Sequence, residues 1–440
     1  MNSVNTSLAM PSAAPAAMGY SAPSTATRAL VDEQSLTRTA ALALTLFSGL
    51  RHGHLALQLP DGSQRHFGEF ATEATGEQAV AAEGAAPLRA SIVIGDWSVF
   101  DDAVHRGDVG FAEAYIDGRW QTPDLAALLT LLARNRDALQ TAIYGNWRGL
   151  LAARLRHLFN ANTRRGSRRN IMAHYDLGNE FYRQWLDPTM SYSSALYASP
   201  DHSLADAQLA KYRRILRRLN VQAGDRILEI GCGWGGFAEV AAREAGAQVH
   251  GLTLSPAQLA FARERMAKAG LSDRVTLELR DYRDLKGVRY DHIVSIEMFE
   301  AVGERWWPRY FRTLRRLLAP EGRALVQTIT IRDDLFARYR RGTDFIQQHV
   351  FPGGMLPSPA VFSRRAADAK LVVRDAFAFG SDYARTLAEW RETFERELPA
   401  VKAQGFDERF VRLWRFYLAY CEAGFASGST DVVQFELAPA

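Results

Sequence analysis

From Asp225 onward the apolar positions alternate between short continuous runs and longer amphipathic stretches. RILEIG reads as a strand and GFAEVAAREAG as a helix. AQVHGLTL and PAQLAFARERMAKAG repeat that order, and RVTLEL, YDHIVSI and GRALVQTITI continue the strands. Short apolar runs bounded by turn residues suit buried strands, whereas apolar residues every third or fourth position suit helices. The alternation predicts a parallel, doubly wound α/β sheet, whose ligands sit at the carboxyl ends of the strands. Upstream, His54–Leu59 and Leu88–Ile94 read as strands. They are followed by WSVFDDAVHRGDVGFAEAYIDGRW and a helix-like run, PDLAALLTLLARNRDAL. That order predicts a small α+β domain over residues 28–145. No internal repeat is found.

Two flanking stretches have a different character. Residues 1–27 are rich in Ala, Ser and Pro, with no Lys or Arg and no continuous apolar core. They read as a disordered tail rather than a secretory signal, and an organelle-targeting peptide would normally contain arginine. Residues 146–170 carry Arg148, Arg154, Arg156, Arg164, Arg165, Arg168 and Arg169, with no acid. Leu150, Leu151, Leu155, Leu158 and Phe159 recur there at helical spacing. A basic amphipathic helix lies well on an anionic membrane, each cation contributing about 1 kcal/mol. A solvated linker helix fits the stretch equally. RNA binding fits less well, because no nucleic-acid module is evident.

Composition narrows the picture modestly. The chain has 440 residues, 47% hydrophobic and 23% charged, enough for two or three domains with a sizeable core. Two cysteines exclude a disulfide framework and fit a reducing compartment. No run of about 18 apolar residues suggests a membrane span. A cytoplasmic protein is expected.

The chemistry begins at Glu229-Ile-Gly-Cys-Gly-Trp-Gly-Gly236, after the first strand and at the start of the first helix. Gly231, Gly233 and Gly235 let the backbone turn tightly and approach a ligand. The spacing E-x-G-x-G-x-G differs from the dinucleotide G-x-G-x-x-G. The second strand ends in Gly251-Leu-Thr-Leu-Ser255, without the acid that would hold an NAD ribose. The pattern favours S-adenosylmethionine, with Glu229, Thr253, Leu254, Ser255 and Gln258 near it and Asp281-Tyr282 at an adenine contact. Cys232 serves the glycine turn. As a bland alternative, Asp281 and Tyr282 are turn and cap residues of a generic α/β domain.

Longer motifs are AHYDLGNEFY from Ala173, MSYSSALY from Met190, EMFEAVGE from Glu297 and VFPGGMLPS from Val350. GSDYARTLAEW from Gly380 and FYLAYCEAGF from Phe416 complete the series. With ILEIGCGWGG and GLTLSPAQL, they make residues 88–437 similar to the cyclopropane-fatty-acid synthase family. Gln327 and FIQQHVFPGGMLPS resemble the branch that includes plant cyclopropane synthases. The resemblance implies a Rossmann-like class I methyltransferase domain over residues 171–440 with an inserted lipid-facing segment. It implies a phospholipid substrate with a cis-unsaturated acyl chain, association with the membrane surface, a homodimer, and bicarbonate in the active site. No nucleic-acid partner is expected.

The implied reaction needs no protein nucleophile. The alkene attacks the sulfonium methyl, a carbocation forms, and a base removes a proton so that the ring closes. By resemblance, bicarbonate is that base. Glu300 would hydrogen-bond it and take its proton, and Tyr383 would donate a phenol O–H. Gln327, the backbone of Ile329 and Ser194 complete the site, beside the cofactor-contacting Tyr192 and Ser193. Many family members have His in place of Gln327 and Cys in place of Ser194. Gln still donates but does not titrate, and Ser keeps a small polar group and its N–H.

Cys421 matches a cysteine often proposed as catalytic, although this chemistry gives it no required role, and a small buried hydrophobe fits equally. His174, Tyr175 and Asp176 form either a lid over the cofactor or a helix cap. ERWWPRYFRTLRRLL reads as a sheet-covering helix with a solvated face, membrane contact being the sharper alternative. VFPGGMLPS is expected at the acyl-chain entrance.

The nearest rival is a sibling methyltransferase that leaves a methylene or methyl branch without a ring. A non-catalytic lipid-binding protein would have a damaged cofactor loop, whereas Gly231, Gly233, Thr253, Gln258, Glu300 and Tyr383 are intact. Methylation of nucleic acid or protein would need a base-flipping or peptide groove, for which no motif is present.

Overall fold

The computed structural model describes residues 33–68, 88–143 and 177–440. The N-terminal tail, the basic stretch 146–170 and His174, Tyr175 and Asp176 lie outside the described residues. Strands β1 (His54–Gln58), β2 (Gln64–Gly68), β3 (Arg89–Ile94) and β4 (Trp120–Gln121) form one sheet in the order β2-β1-β3-β4. Alternation in β3 buries Ala90, Ile92 and Ile94, as a half-buried strand requires. The predicted continuous helix of PDLAALLTLLARNRDAL is instead two, Leu125–Arg134 and Arg136–Ile143. Asn135 makes the break. Its Oδ1 accepts from the Arg51 and His52 N–H groups at 2.7 and 3.0 Å, and its Nδ2 donates to the His52 carbonyl at 2.9 Å.

This N-terminal layer shares a hydrophobic core with the rest of the chain. Its main partner is the long helix Glu408–Ala426. Arg412 lies 4.1 Å over the Tyr115 ring and donates to the Tyr115 carbonyl at 2.7 Å. From the same helix, the Tyr420 hydroxyl donates to half-buried Asp108 at 2.7 Å.

The second sheet holds β5 (Arg226–Ile230), β6 (Gln248–Thr253), β7 (Val275–Leu279), β8 (Tyr290–Ile296), β9 (Leu318–Ile331), β10 (Leu371–Ala378) and β11 (Thr430–Pro439). Their order is β10-β11-β9-β8-β5-β6-β7. The five strands from β7 to β9 run parallel, as the alternation predicts. The two strands absent from that prediction add a mixed edge: β11 is antiparallel to both β9 and β10. The order turns back on itself at β5, between β6 and β8, which opens a crevice at the carboxyl ends of these strands.

Helix Trp307–Leu317 covers the sheet, with Trp307, Tyr310, Phe311, Leu314 and Leu317 fully buried and Arg312 and Arg316 exposed. That is the sheet-covering reading of the arginine-tryptophan segment. Among the described residues, no helix is long and apolar enough to cross a membrane.

Candidate active site

A cavity of about 340 Å³ opens at the carboxyl ends of β5, β6 and β8. The glycine loop forms one wall. Gly231, Gly233 and Gly235 have φ of 89°, 50° and 83°, conformations that suit glycine. Two loop N–H groups, of Gly231 and Cys232, share the Leu252 carbonyl at 3.0 and 2.8 Å, which ties the loop to β6. Gly231, Cys232, Gly233, Thr253, Leu254, Gln258, Asp281, Tyr282, Tyr192 and Ser193 line the cavity, as expected of cofactor contacts.

Two expected contacts do not line it. Ser255 caps the helix Pro256–Lys268, accepting from the Gln258 N–H. Gly235 lies against that helix, where a Cβ would meet Ala262 at 3.2 Å. Both shape the pocket from behind because the capping and close-contact needs of the helix take precedence over ligand contact.

Glu229 ends the β5 wall. Its Oε2 is buried with no hydrogen-bond partner among the described residues, and burial pushes its carboxyl up to about 8. A buried acceptor left open inside a glycine cradle suits a nucleoside hydroxyl or amine, so the residues fit S-adenosylmethionine. A bound sulfonium cation favours the ionised carboxylate, so the bound group titrates lower than the free one. Affinity for the cofactor is therefore expected to rise by up to about tenfold per pH unit between about pH 6 and 8, with proton release. For the ligand-free fold the sign is opposite. A raised carboxyl contributes stability that is full below the ordinary carboxylate range and is lost as pH rises through about 8. Titration calorimetry in buffers of different ionisation heat checks the first statement; an affinity flat across this range would refute it.

A second centre lies across the cavity, where Glu297 follows the end of β8 and a short turn brings Glu300 beside it. Three donors meet on Glu297. The Ser194 N–H and Gln327 Nε2 donate to Oε1 at 2.9 and 2.7 Å, and the Tyr383 hydroxyl donates to Oε2 at 2.6 Å. Glu300 Oε1 accepts from the Ile329 N–H, and its Oε2 is buried without a hydrogen-bond partner among the described residues. Burial, and then the Glu297 charge, push Glu300 up to about 8. Burial also raises Glu297, opposed by the Lys211 charge and by its three donors. Lys211 is itself fully buried, with its ammonium on Ser193 Oγ at 2.6 Å and Gln208 Oε1 at 2.5 Å.

Ser194, Gln327, Tyr383, Ile329 and Glu300 thus converge, but not on a free anion. Ser194, Gln327 and Tyr383 spend their donors on the Glu297 carboxylate, and Ile329 spends its own on Glu300. The residues present do not fit bicarbonate at that point. Ser194 Oγ turns away to the Ala195 carbonyl at 2.9 Å. Glu297 and Lys211 are the functional residues missed by sequence reasoning. The signal for Glu297 was a second carboxyl three residues before Glu300, at a strand's carboxyl end.

Aromatic rings close the far side. Phe351, Tyr383, Tyr417, Tyr420 and Phe425 line the cavity, with Tyr383 and Phe425 stacked at 4.4 Å. The VFPGGMLPS segment contributes Phe351, Pro352, Gly354, Met355 and Leu356 to the same wall. Cys421 also lines it, but burial raises its thiol well above the usual range, which leaves no thiolate for nucleophilic work. Cys232 is buried behind the loop with its thiol likewise raised.

Comparison with known proteins agrees with this geometry. The mycolic acid cyclopropane synthetase family model matches residues 162–435. Tuberculostearic acid methyltransferase UfaA1 of Mycobacterium tuberculosis is 41% identical over 339 residues, 75% of this chain and 79% of that protein. Cyclopropane-fatty-acyl-phospholipid synthase of Escherichia coli K12 is 35% identical over 366 residues, 83% of this chain and 91% of that protein. The crystal structure of mycolic acid cyclopropane synthase CmaA1 complexed with SAH and CTAB superposes with a TM-score of 0.58. It is 32% identical and covers 61% of this chain and 97% of that one. A cofactor cradle on a class I methyltransferase sheet and a match over most of the chain lead to one conclusion: the chain belongs to the mycolic acid cyclopropane synthetase family of S-adenosylmethionine-dependent methyltransferases.

Proposed function

We propose that the protein adds a one-carbon unit to the cis double bond of an unsaturated phospholipid acyl chain and closes a cyclopropane ring. S-adenosylmethionine, when bound, supplies an electrophilic methyl carbon for the alkene to attack, which leaves a carbocation on the acyl chain. The chain's own residues then have three tasks. The glycine loop and Glu229 hold the methyl donor in line with the alkene. The rings of Tyr383, Tyr417, Tyr420 and Phe425 offer their faces to the cation and keep water away. A carboxylate takes the proton that must leave the added methyl group.

One observation carries this reading: a carboxyl pair and an aromatic wall share a cavity with the cofactor loop. An acyl chain on a phospholipid is supported by the Escherichia coli relative, whose alignment spans 83% of this chain. In this proposal the enzyme works as a dimer on the cytoplasmic membrane face. A second reading, a methylene or methyl branch without a ring, is favoured by the 41% identity to a relative named a methyltransferase. Both readings share the first bond-forming step.

The test uses vesicles of unsaturated phospholipid and methyl-labelled S-adenosylmethionine, with acyl chains weighed before and after mild hydrogenation. A labelled chain heavier than its alkene by one CH2 that resists hydrogenation is the expected result. A labelled chain that takes up hydrogen establishes the methylene-branched product instead, and no label in any lipid removes both readings.

A further inference from the structure

The further inference concerns the base and rests on the alkylation reading above. Glu297 sits at φ 48°, a left-handed conformation that glycine adopts far more readily. A carboxylate is therefore held there against its backbone preference. The local geometry shows what it does. Two N–H groups and one phenol O–H converge on it, and the ammonium of Lys211 adds an attractive charge.

The orientation of Gln327 follows from outside inward. The Arg214 guanidinium only donates, so Gln434 presents its oxygen to it. Gln434 Nε2 then donates to Gln327 Oε1 at 2.9 Å. That leaves Gln327 Nε2 for Glu297. The two glutamines face each other across the register of β9 and β11, so the relay is built into the sheet.

An ionised carboxylate has about four lone-pair sites. Three are taken by these donors, and the group lines the cavity. One basic site remains open beside the aromatic wall.

We propose that Glu297 is the resident base of the reaction, a carboxylate of the chain itself standing where the family resemblance puts bicarbonate. The step balances without another reactant. A C–H bond of the transferred methyl breaks, and its electron pair forms the last ring C–C bond. In the branched reading a 1,2-hydride shift first moves the cation onto the methyl-bearing carbon, and the same pair then forms the exocyclic C=C bond. The proton goes to Glu297, which passes from charged to neutral and is reset by loss of the proton to solvent after product leaves. Glu300, which accepts from the Ile329 N–H, is the partner acid.

The test compares the wild type with Glu297→Gly, a change that suits the local φ and empties the cradle. Turnover is measured in carbonate-free buffer with and without added bicarbonate, and binding of ¹³C-bicarbonate is followed by NMR without any lipid. Retained cofactor binding and circular dichroism establish that the variant is folded. The wild type is expected to turn over equally in both buffers and to bind no labelled bicarbonate. Glu297→Gly is expected to lose about 10²-fold or more in turnover. It should bind labelled bicarbonate and regain activity with it.

A wild type that binds or requires bicarbonate overturns the inference. So does a folded variant that is active without the anion, or one that neither binds it nor is rescued by it. A wild type that alkylates no lipid defeats the function reading instead, and the binding comparison still decides whether Glu297 fills an anion cradle.

Discussion

Replacing Glu300 with Gln is expected to lower turnover by about 10²- to 10⁴-fold, the usual range for losing a proton-transfer group, with fold and cofactor affinity kept. Gln preserves the shape and the oxygen that accepts the Ile329 N–H, so the local backbone has no reason to shift. What it removes is the ability to gain or lose a proton. Glu297 and Glu300 are like charges in a buried site, and such a pair ionises in steps that belong to both. Single-turnover kinetics with preformed cofactor complex separates the effect from binding. Near-normal turnover of this variant would mean that Glu300 acts only as a neutral hydrogen-bonding group.

Gly231→Val is expected to weaken cofactor binding by about ten- to a hundredfold, the equivalent of roughly 1–3 kcal/mol of backbone strain. Two costs combine. Gly231 sits at φ 89°, which a β-branched residue avoids, and a Cβ there would approach the Met298 side chain at 3.0 Å. Met298 lies between Glu297 and Glu300 in sequence, so the intrusion also disturbs the carboxyl pair. Calorimetry with S-adenosylhomocysteine reads the affinity directly. Unchanged binding would show that the loop holds the cofactor in a way that does not depend on this backbone conformation.

The methyltransferase half was legible because most positions of its central strands are buried and read as short, mainly apolar runs, and because the glycine loop needs residues that few other structures need. Strands β10 and β11 were harder. LVVRDAFA alternates as an edge strand does and resembles a surface segment in isolation, and the buried polar Gln434 and Glu436 break the apolar run of β11. Lys211 stands in KYRRILRR, a run whose composition suits a solvated helix face. Its complete burial follows from the tertiary placement of Ser193 and Gln208, which a helical pattern alone does not contain.

The candidate site divides in the same way. Ser194, Gln327 and Tyr383 were identifiable one by one from their motifs. Their meeting point was not, because each comes from a different element separated from Glu297 by 103, 30 and 86 residues. Only the folded geometry shows that a carboxylate of the chain already occupies the place assigned to an outside anion. Ser255 and Gly235 illustrate the reverse: residues of the right type beside a ligand pocket that a helix terminus or a close helix contact claims first.

The central claim is that a base in this cavity removes a proton from the carbon just transferred to an acyl chain. The most direct measurement uses S-adenosylmethionine with a fully deuterated methyl group and vesicles of unsaturated phospholipid. The deuterons retained in the lipid product are then counted by mass spectrometry. The account requires a product that keeps two of the three, the third having passed to the protein and then to solvent. A product that retains all three would contradict it, since the transferred methyl would then have lost no proton to any base.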